Sequence, residues 1–384
     1  MQCDLLIENG TVVDPARGIH AVQDVAVAAG VIVELASDEK VAPAKRLNAR
    51  GLLVTPGLID LHVHVYRRHV PISLDADEVS LAGGVTTMLD AGSAGSYNFA
   101  GFRYDVIDRV DAQVFGLVNL SCIGLVAAHY GELMDPRYAD PAGVVRVIEQ
   151  FPEVALGVKI RAGAQIIGAG QQGWDNFLKA VQAARDSGTW LMIHIGESPM
   201  PVPEMIPHLQ AGDCITHCFK GGSETILDED GKVFEAVAEG ARNGIVFDVG
   251  HGLGSFHWDI VQAALDQGFE PTTISTDLYR DNVHGPVYDL PTTMSKFLML
   301  GVSLDRVIAM STSEPARVLG RDDDLGTLRP GTVADITLLD MRQGEFTFTD
   351  SYQQTRVGDR LLQAAGVVRR GELFVTGNRL QVTR

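Results

Sequence analysis

His62 and His64 stand one residue apart at the end of the run Pro56-Gly57-Leu58-Ile59-Asp60-Leu61-His62-Val63-His64. Side chains alternate along an extended chain, so both imidazoles project to the same side of a strand. Imidazole nitrogen is a preferred ligand for zinc and similar ions. The pair can therefore hold one metal at the mouth of a strand. A bare His-x-His is more often a packed or surface pair, so the reading depends on partners elsewhere. Lys159, His194, His217 and Asp277 supply them, each closing an apolar run further along.

Taken singly, each partner also has an ordinary reading. Lys159 can be a strand-end lysine reaching for solvent, and His194 a hydrogen-bonded core histidine. Thr216-His217-Cys218 can be a packed strand. Asp277 can cap the next helix or pair with Arg280. The metal reading rests on the set.

Positioning such a set requires elements whose ends meet. Apolar strand-like runs alternate with helix-like stretches roughly every thirty residues, the spacing of βα units. The strands are expected to end near His64, Asp90, Ser121, Lys159, His194, His217, Val249 and Asp277. Eight such units make a closed (β/α)8 barrel of the TIM type, an α/β fold that places its chemistry at the C-terminal strand ends. One helix is plain over 174–187, with Phe177, Ala180, Val181 and Ala184 at helical spacing and Gly188 as its stop.

The two ends of the chain read differently. Residues 3–14 suggest a hairpin around Asn9-Gly10. Short apolar runs follow at 24–28 and 31–35, joined by Gly30. Further short strands are expected at 331–339 and 371–376. Both termini thus build one small β-sandwich. The expected division is 1–53 for its N-terminal part, 54–328 for the barrel and 329–384 for its C-terminal part.

Gly57-Leu58-Ile59-Asp60-Leu61-His62-Val63-His64, Gly157-Val158-Lys159-Ile160, Ile193-His194, Thr216-His217 and Ser275-Thr276-Asp277 resemble the amidohydrolase superfamily. The likeness is to its binuclear-metal branch of dihydroorotases, hydantoinases and deacetylases. The stretch Thr312-Ser313-Glu314-Pro315-Ala316 with Leu319-Gly320 is similar to the helix after the last barrel strand there. The resemblance implies two divalent metal ions, zinc first among them. His62, His64 and Asp277 would hold the more buried ion, and His194 and His217 the second. Lys159, carrying a carboxyl group derived from carbon dioxide, would bridge both. A hydroxide between two metals is a nucleophile at neutral pH, and Asp277 would shuttle its proton.

Substrate choice is less legible. Dihydroorotases carry an arginine two residues after the second histidine; here that position is Tyr66, and Arg67 and Arg68 follow one register out. Candidate substrate contacts are Tyr66, Tyr130 in His129-Tyr130-Gly131-Glu132, Arg161 and His251 within the glycine-rich 250–254. Arg161 is the preferred partner for a substrate carboxylate, because its fork matches two oxygens. The resemblance implies a hydrolase that removes an acyl group from a small carboxylate ester or amide. Acetylated α-hydroxy or α-amino acids such as acetyl-mandelate are examples. Two alternatives stand beside it: a cyclic amidohydrolase opening a ring amide or imide, and a non-catalytic barrel homologue with an assembly role.

The composition narrows the partners. The 384-residue chain carries a formal charge of −18, which repels nucleic acid and anionic membranes. No apolar run approaches a membrane span, and the start reads as a strand rather than a leader. Four cysteines, Cys3, Cys122, Cys214 and Cys218, are too few and too scattered for a disulfide framework. The expected compartment is a reducing cytoplasm. Neither a G-x-G-x-x-G after a strand nor a phosphate loop is present. Relatives of this kind self-associate, so a homo-oligomer is an open expectation.

Overall fold

A computed structural model describes residues 2–35, 42–222, 224–375 and 381–383. Seven short apolar runs form one parallel sheet, pairing in chain order: Leu58–Val63, Val85–Asp90, Gln113–Asn119, Ala155–Arg161, Trp190–His194, Cys214–Thr216 and Val246–Asp248. They are called the first to seventh barrel strands below. The eighth expected strand, ending near Asp277, forms no regular ladder. It nonetheless bridges Thr273 to Asp248 on one side and Leu278 to Val63 on the other, which closes the ring. All six residues of the first strand are buried, as expected for a parallel sheet covered on both faces.

The barrel interior is packed. Ile59, Leu61, Leu89, Phe115, Leu117, Met192, Cys214 and Val246 form one apolar cluster with Ala316 from the helix Ser313–Val318 and Leu319 just after it. The functional groups rest on this layer. The helix expected at 174–187 runs Gly170–Asp186, with Gly188 in the left-handed region (φ 66°) beyond its end. All four cysteines are free and buried.

The terminal segments form two further sheets. Strand order is 381–383, Ala42–Asn48, Gln2–Glu8, Val25–Ala28, Val31–Val33 in one. In the other it is Glu372–Val375, Thr355–Arg369, Ile336–Thr349, Leu53–Pro56, Thr11–Asp14, Ile19–Val22. Leu5, Ile7, Val27 and Leu47 from the first sheet share a core with Val12, Val54, Ile336, Leu338 and Val368 from the second. This is a sandwich drawn from both ends of the chain.

Two expectations about this part need correction. Gln2–Glu8 and Thr11–Asp14 are not a hairpin; they lie in different sheets. The Thr11 N–H bonds the Leu52 carbonyl, at 3.0 Å. Sorting the strands into facing sheets buries Leu5 and Ile7 against Val12 and Val54, which a two-stranded hairpin cannot do. The expected strand at 331–339 is instead Ile336–Thr349, the first arm of a long hairpin with Thr355–Arg369. Its exposed stretch Arg342-Gln343-Gly344-Glu345 reads as a loop in sequence because no apolar alternation marks it.

The tip of that hairpin returns to the barrel. Ser351 Oγ donates to the carbonyls of His251 (3.2 Å) and Gly252 (3.0 Å). Tyr352 Oη lies 3.2 Å from the carbonyls of both Gly221 and Gly254. The loops after the sixth and seventh strands are therefore braced by a segment more than ninety residues away.

Candidate active site

His62 lies near the end of the first strand and His64 just beyond it. The ladder to the second strand is irregular between Asp60 and Val63. There Asp60 accepts from the His62 N–H (3.3 Å), the Thr276 N–H (3.0 Å) and the Thr276 hydroxyl (2.6 Å). That clasp ties the first strand to the closing segment, which carries Asp277. Burial holds the Asp60 carboxyl up at about 7. Asp277 Oδ1 stands 3.3 Å from His62 Nε2 and 3.3 Å from His64 Nε2. Asp277 Oδ2 is 3.9 Å from His217 Nε2, which is itself 2.8 Å from His194 Nδ1. Lys159 Nζ is 3.4 Å from His62 Nε2. All six side chains selected by spacing thus converge on one place.

The ring nitrogens are oriented by neighbours. Thr216 Oγ1 donates to Asp248 (2.7 Å), so it accepts from His62 Nδ1 at 2.9 Å. Ser93 repeats the pattern: its hydroxyl serves Asp90 and sits 2.9 Å from His64 Nδ1. His217 Nδ1 donates to the Gly250 carbonyl at 2.6 Å. In all three histidines the proton is held at Nδ1, which leaves the Nε2 lone pair facing the shared space. Burial pulls His62 and His194 well below the ordinary histidine range and His217 down to about 4, so the rings stay neutral.

Lys159 is fully buried. Besides His62, Met192 Sδ is its near polar neighbour, at 3.3 Å. Burial pulls its ammonium down to about 8. Its stem passes so close to Gly92 (φ +83°) that a Cβ there would lie 2.6 Å from Lys159 Cβ. At Gly250 a Cβ would lie 2.3 Å from Thr216 Oγ1 and 2.8 Å from His217 Nδ1. A Cβ at Gly252 would lie 2.6 Å from Asp277 Oδ2, so Gly250 and Gly252 both make room for site side chains.

The donor set fits metal. The ligand atoms of His62, His64 and Asp277 all lie within 4.8 Å of one another. Two ligands of a tetrahedral ion bound at about 2.0–2.1 Å stand about 3.3 Å apart, which matches both histidine–aspartate distances. Cys214 and Cys218 take no part: both thiols are buried, and burial pushes them up.

A cavity of about 430 Å³ opens over this cluster, lined among others by His64, His194, Asp277, Arg161, Lys220, Glu197 and Tyr279. Its volume suits a small molecule. Arg161 lines it, yet Nε and Nη2 are engaged by the buried Glu132 at 2.8 and 2.6 Å, and Nη2 also by the Ala128 carbonyl. The other three expected substrate contacts require correction. Tyr66 is buried in the core against Phe102 and His69, its hydroxyl on the Asn98 carbonyl. His251 is also fully buried, stacked on Phe256, with Nε2 2.6 Å from Lys296 Nζ. Tyr130 is 86% exposed and does not line the cavity. Arg67 and Arg68 line a different cleft with Asp75 and Asp77.

Sequence reasoning passed over Thr216, Ser93, Asp90 and Asp248, which orient the histidines. Asp90 and Asp248 each end a barrel strand, so the strand-end rule that selected Lys159 could have raised them. Lys220 and Glu197 lie in loops and carried no such signal.

The sequence profile of the amidohydrolase family matches residues 53–219 and 235–372. The chain belongs to the amidohydrolase family. A deacetylase of Enterococcus faecalis is 33% identical to it over 381 residues, covering 97% of this chain and 100% of that one. A crystal structure of an adenine deaminase superposes with a TM-score of 0.89 at 33% identity, covering 97% and 100% of the two chains. A dihydroorotase crystal structure gives 0.86 at 31%, covering 97% and 98%. This amidohydrolase is an enzyme that hydrolyses amide or ester bonds, and its family works with divalent metals. Similarity at this level reaches relatives of three different names, so the choice of substrate must be sought in the cavity.

Proposed function

We propose that this amidohydrolase removes the acyl group from a small carboxylate ester or amide, with acetylated α-hydroxy or α-amino acids such as acetyl-mandelate as the substrate class. His62, His64 and Asp277 would hold one divalent ion and His194 and His217 a second, zinc being the first choice for nitrogen-rich ligands. Lys159, carboxylated by carbon dioxide, would hold both. Bound there, such ions supply water activated at neutral pH and polarise a carbonyl. Asp277 uses its two oxygens differently: Oδ1 faces the two histidines, and Oδ2 takes a proton and returns it to the leaving group. Arg161 keeps Nη1 for a hydrogen bond to substrate, its charge being matched by Glu132.

The observation that carries this reading is the convergence of three Nε2 lone pairs, each with its Nδ1 proton already anchored. A ring-opening dihydroorotase is disfavoured by the loop after the first strand, which sends Tyr66 into the core and Arg67 and Arg68 to another cleft. The test is a metal count on purified protein and a panel of acetylated acids against cyclic imides. Two equivalents of metal and acetate release are expected. Full activity after metal removal would overturn the mechanism. Ring opening without acetate release would overturn the substrate class.

A further inference from the structure

Two basic side chains line the cavity besides its histidines, Arg161 and Lys220. They are not equivalent. The guanidinium of Arg161 meets the carboxylate of Glu132 through two short bonds, and Glu132 is fully buried. Inside low-dielectric surroundings such a pair presents little net charge to a ligand. Among the described residues Lys220 has no carboxylate within 4 Å, and its ammonium makes one hydrogen bond, to the Gly221 carbonyl at 3.4 Å. That distance is too long for a strong ammonium bond.

The backbone that carries Lys220 is pinned on both sides. His217 adopts a left-handed conformation (φ 70°), and the Lys220 N–H closes the turn on the His217 carbonyl at 3.0 Å. On the other side the Gly221 carbonyl accepts from Tyr352 Oη at the hairpin tip. A lysine free in its charge and fixed in its backbone thus lines the cavity three residues after His217. The cavity also holds two carboxylates besides Asp277. Asp281 pairs with Arg280 (2.9 Å), whereas Glu197 has no cation within 4 Å among the described residues. An anionic substrate needs a positive partner to offset Glu197, and Lys220 is the one with its charge unmatched.

We infer that Lys220, rather than Arg161, recognises the substrate carboxylate and so determines the preference for acids over neutral esters. This rests on the reading of the substrate as a small carboxylate. Lysine acts there as a point charge, so it selects charge more than shape.

The test compares wild type, K220M and K220R, each loaded with metal. Acetate release is measured from an acetylated α-hydroxy acid and from its neutral primary amide, and calorimetry measures binding of the free α-hydroxy acid. K220M is expected to lose about 10- to 100-fold in kcat/KM on the acid, carried by KM. The acid-over-amide preference should shrink by the same factor, free-acid binding should weaken with it, and K220R should restore much of the loss. An unchanged preference, or equal losses on both substrates, overturns the inference. Should wild type release no acetate from any acid, the proposed substrate class fails, and calorimetry still judges Lys220. Free acid bound by wild type and lost in K220M sustains the role; equal binding, or none to wild type, overturns it.

Discussion

Replacing Thr216 with valine isolates the device that presents His62. Oγ1 is 2.9 Å from His62 Nδ1 and 2.7 Å from Asp248 Oδ2, and all three side chains are buried. In T216V the Nδ1 proton loses its hydrogen-bond acceptor, and the Asp248 carboxylate, 3.9 Å from Nδ1, is too far to replace it, so the tautomer that leaves Nε2 open is held less firmly. A buried polar group without a partner costs about 1–3 kcal/mol. At about 1.4 kcal/mol per tenfold, the expected loss of metal affinity is about 10- to 100-fold, the range usual for partners of ligating histidines. T273V is the control. Thr273 Oγ1 also donates to Asp248, at 2.6 Å, but among the described residues its hydroxyl has no bond to a histidine. Both variants should lower the melting temperature. Only T216V should lose zinc affinity in a chelator competition. If T216V binds zinc as tightly as wild type, His62 does not ligate through Nε2 and the tautomer reasoning is wrong.

G92A places a Cβ 2.6 Å from Lys159 Cβ on a left-handed backbone; a destabilisation of about 2–4 kcal/mol and reduced metal content are expected, read by denaturant melts and metal analysis. Y352F removes the hydroxyl between the Gly221 and Gly254 carbonyls; a several-fold rise in KM with little change in kcat is expected, and an unchanged KM would deny the brace any influence on the cavity. Burial raises the Asp14 carboxyl, while Leu328 N–H (2.8 Å) and Thr327 partly compensate and Oδ1 has no hydrogen-bond partner among the described residues. A raised folded-state value means the native protein binds more protons just above the unfolded carboxylate range, so this group's contribution to stability falls as pH rises through that window. D14N should therefore show its largest melting-temperature gain over wild type at neutral pH, and the gain should shrink on acidification.

Much of the barrel was legible because parallel strands buried on both faces appear as short apolar runs, and chemistry collects at their ends. His62, His64, Lys159, His194, His217 and Asp277 were all found that way, and the structure draws them together. The rule weakened at 273–278, where the largely polar run Thr273-Ile274-Ser275-Thr276-Asp277-Leu278 closes the ring through bridges rather than a ladder. It failed for the hairpin arm Ile336–Thr349, whose middle is polar because it runs exposed between sandwich and barrel. The substrate contacts were the least legible. Tyr66, Tyr130, Arg161 and His251 all follow shortly after expected strand ends in sequence, yet one is in the core, one faces solvent, one is paired and one is bonded to Lys296.

By itself the order of residues determined which chemical groups stand at strand ends, because alternation and strand length are local properties of the chain. The tertiary structure decided which nitrogen of each histidine is offered, which cation keeps its charge unmatched and which loops are held. Those depend on Thr216 meeting His62 across 154 positions, Glu132 meeting Arg161 across 29 and Tyr352 meeting Gly221 across 131. Hydrogen bonds and ion pairs act over a few ångströms of space, and only the folded chain sets which distant residues come that close.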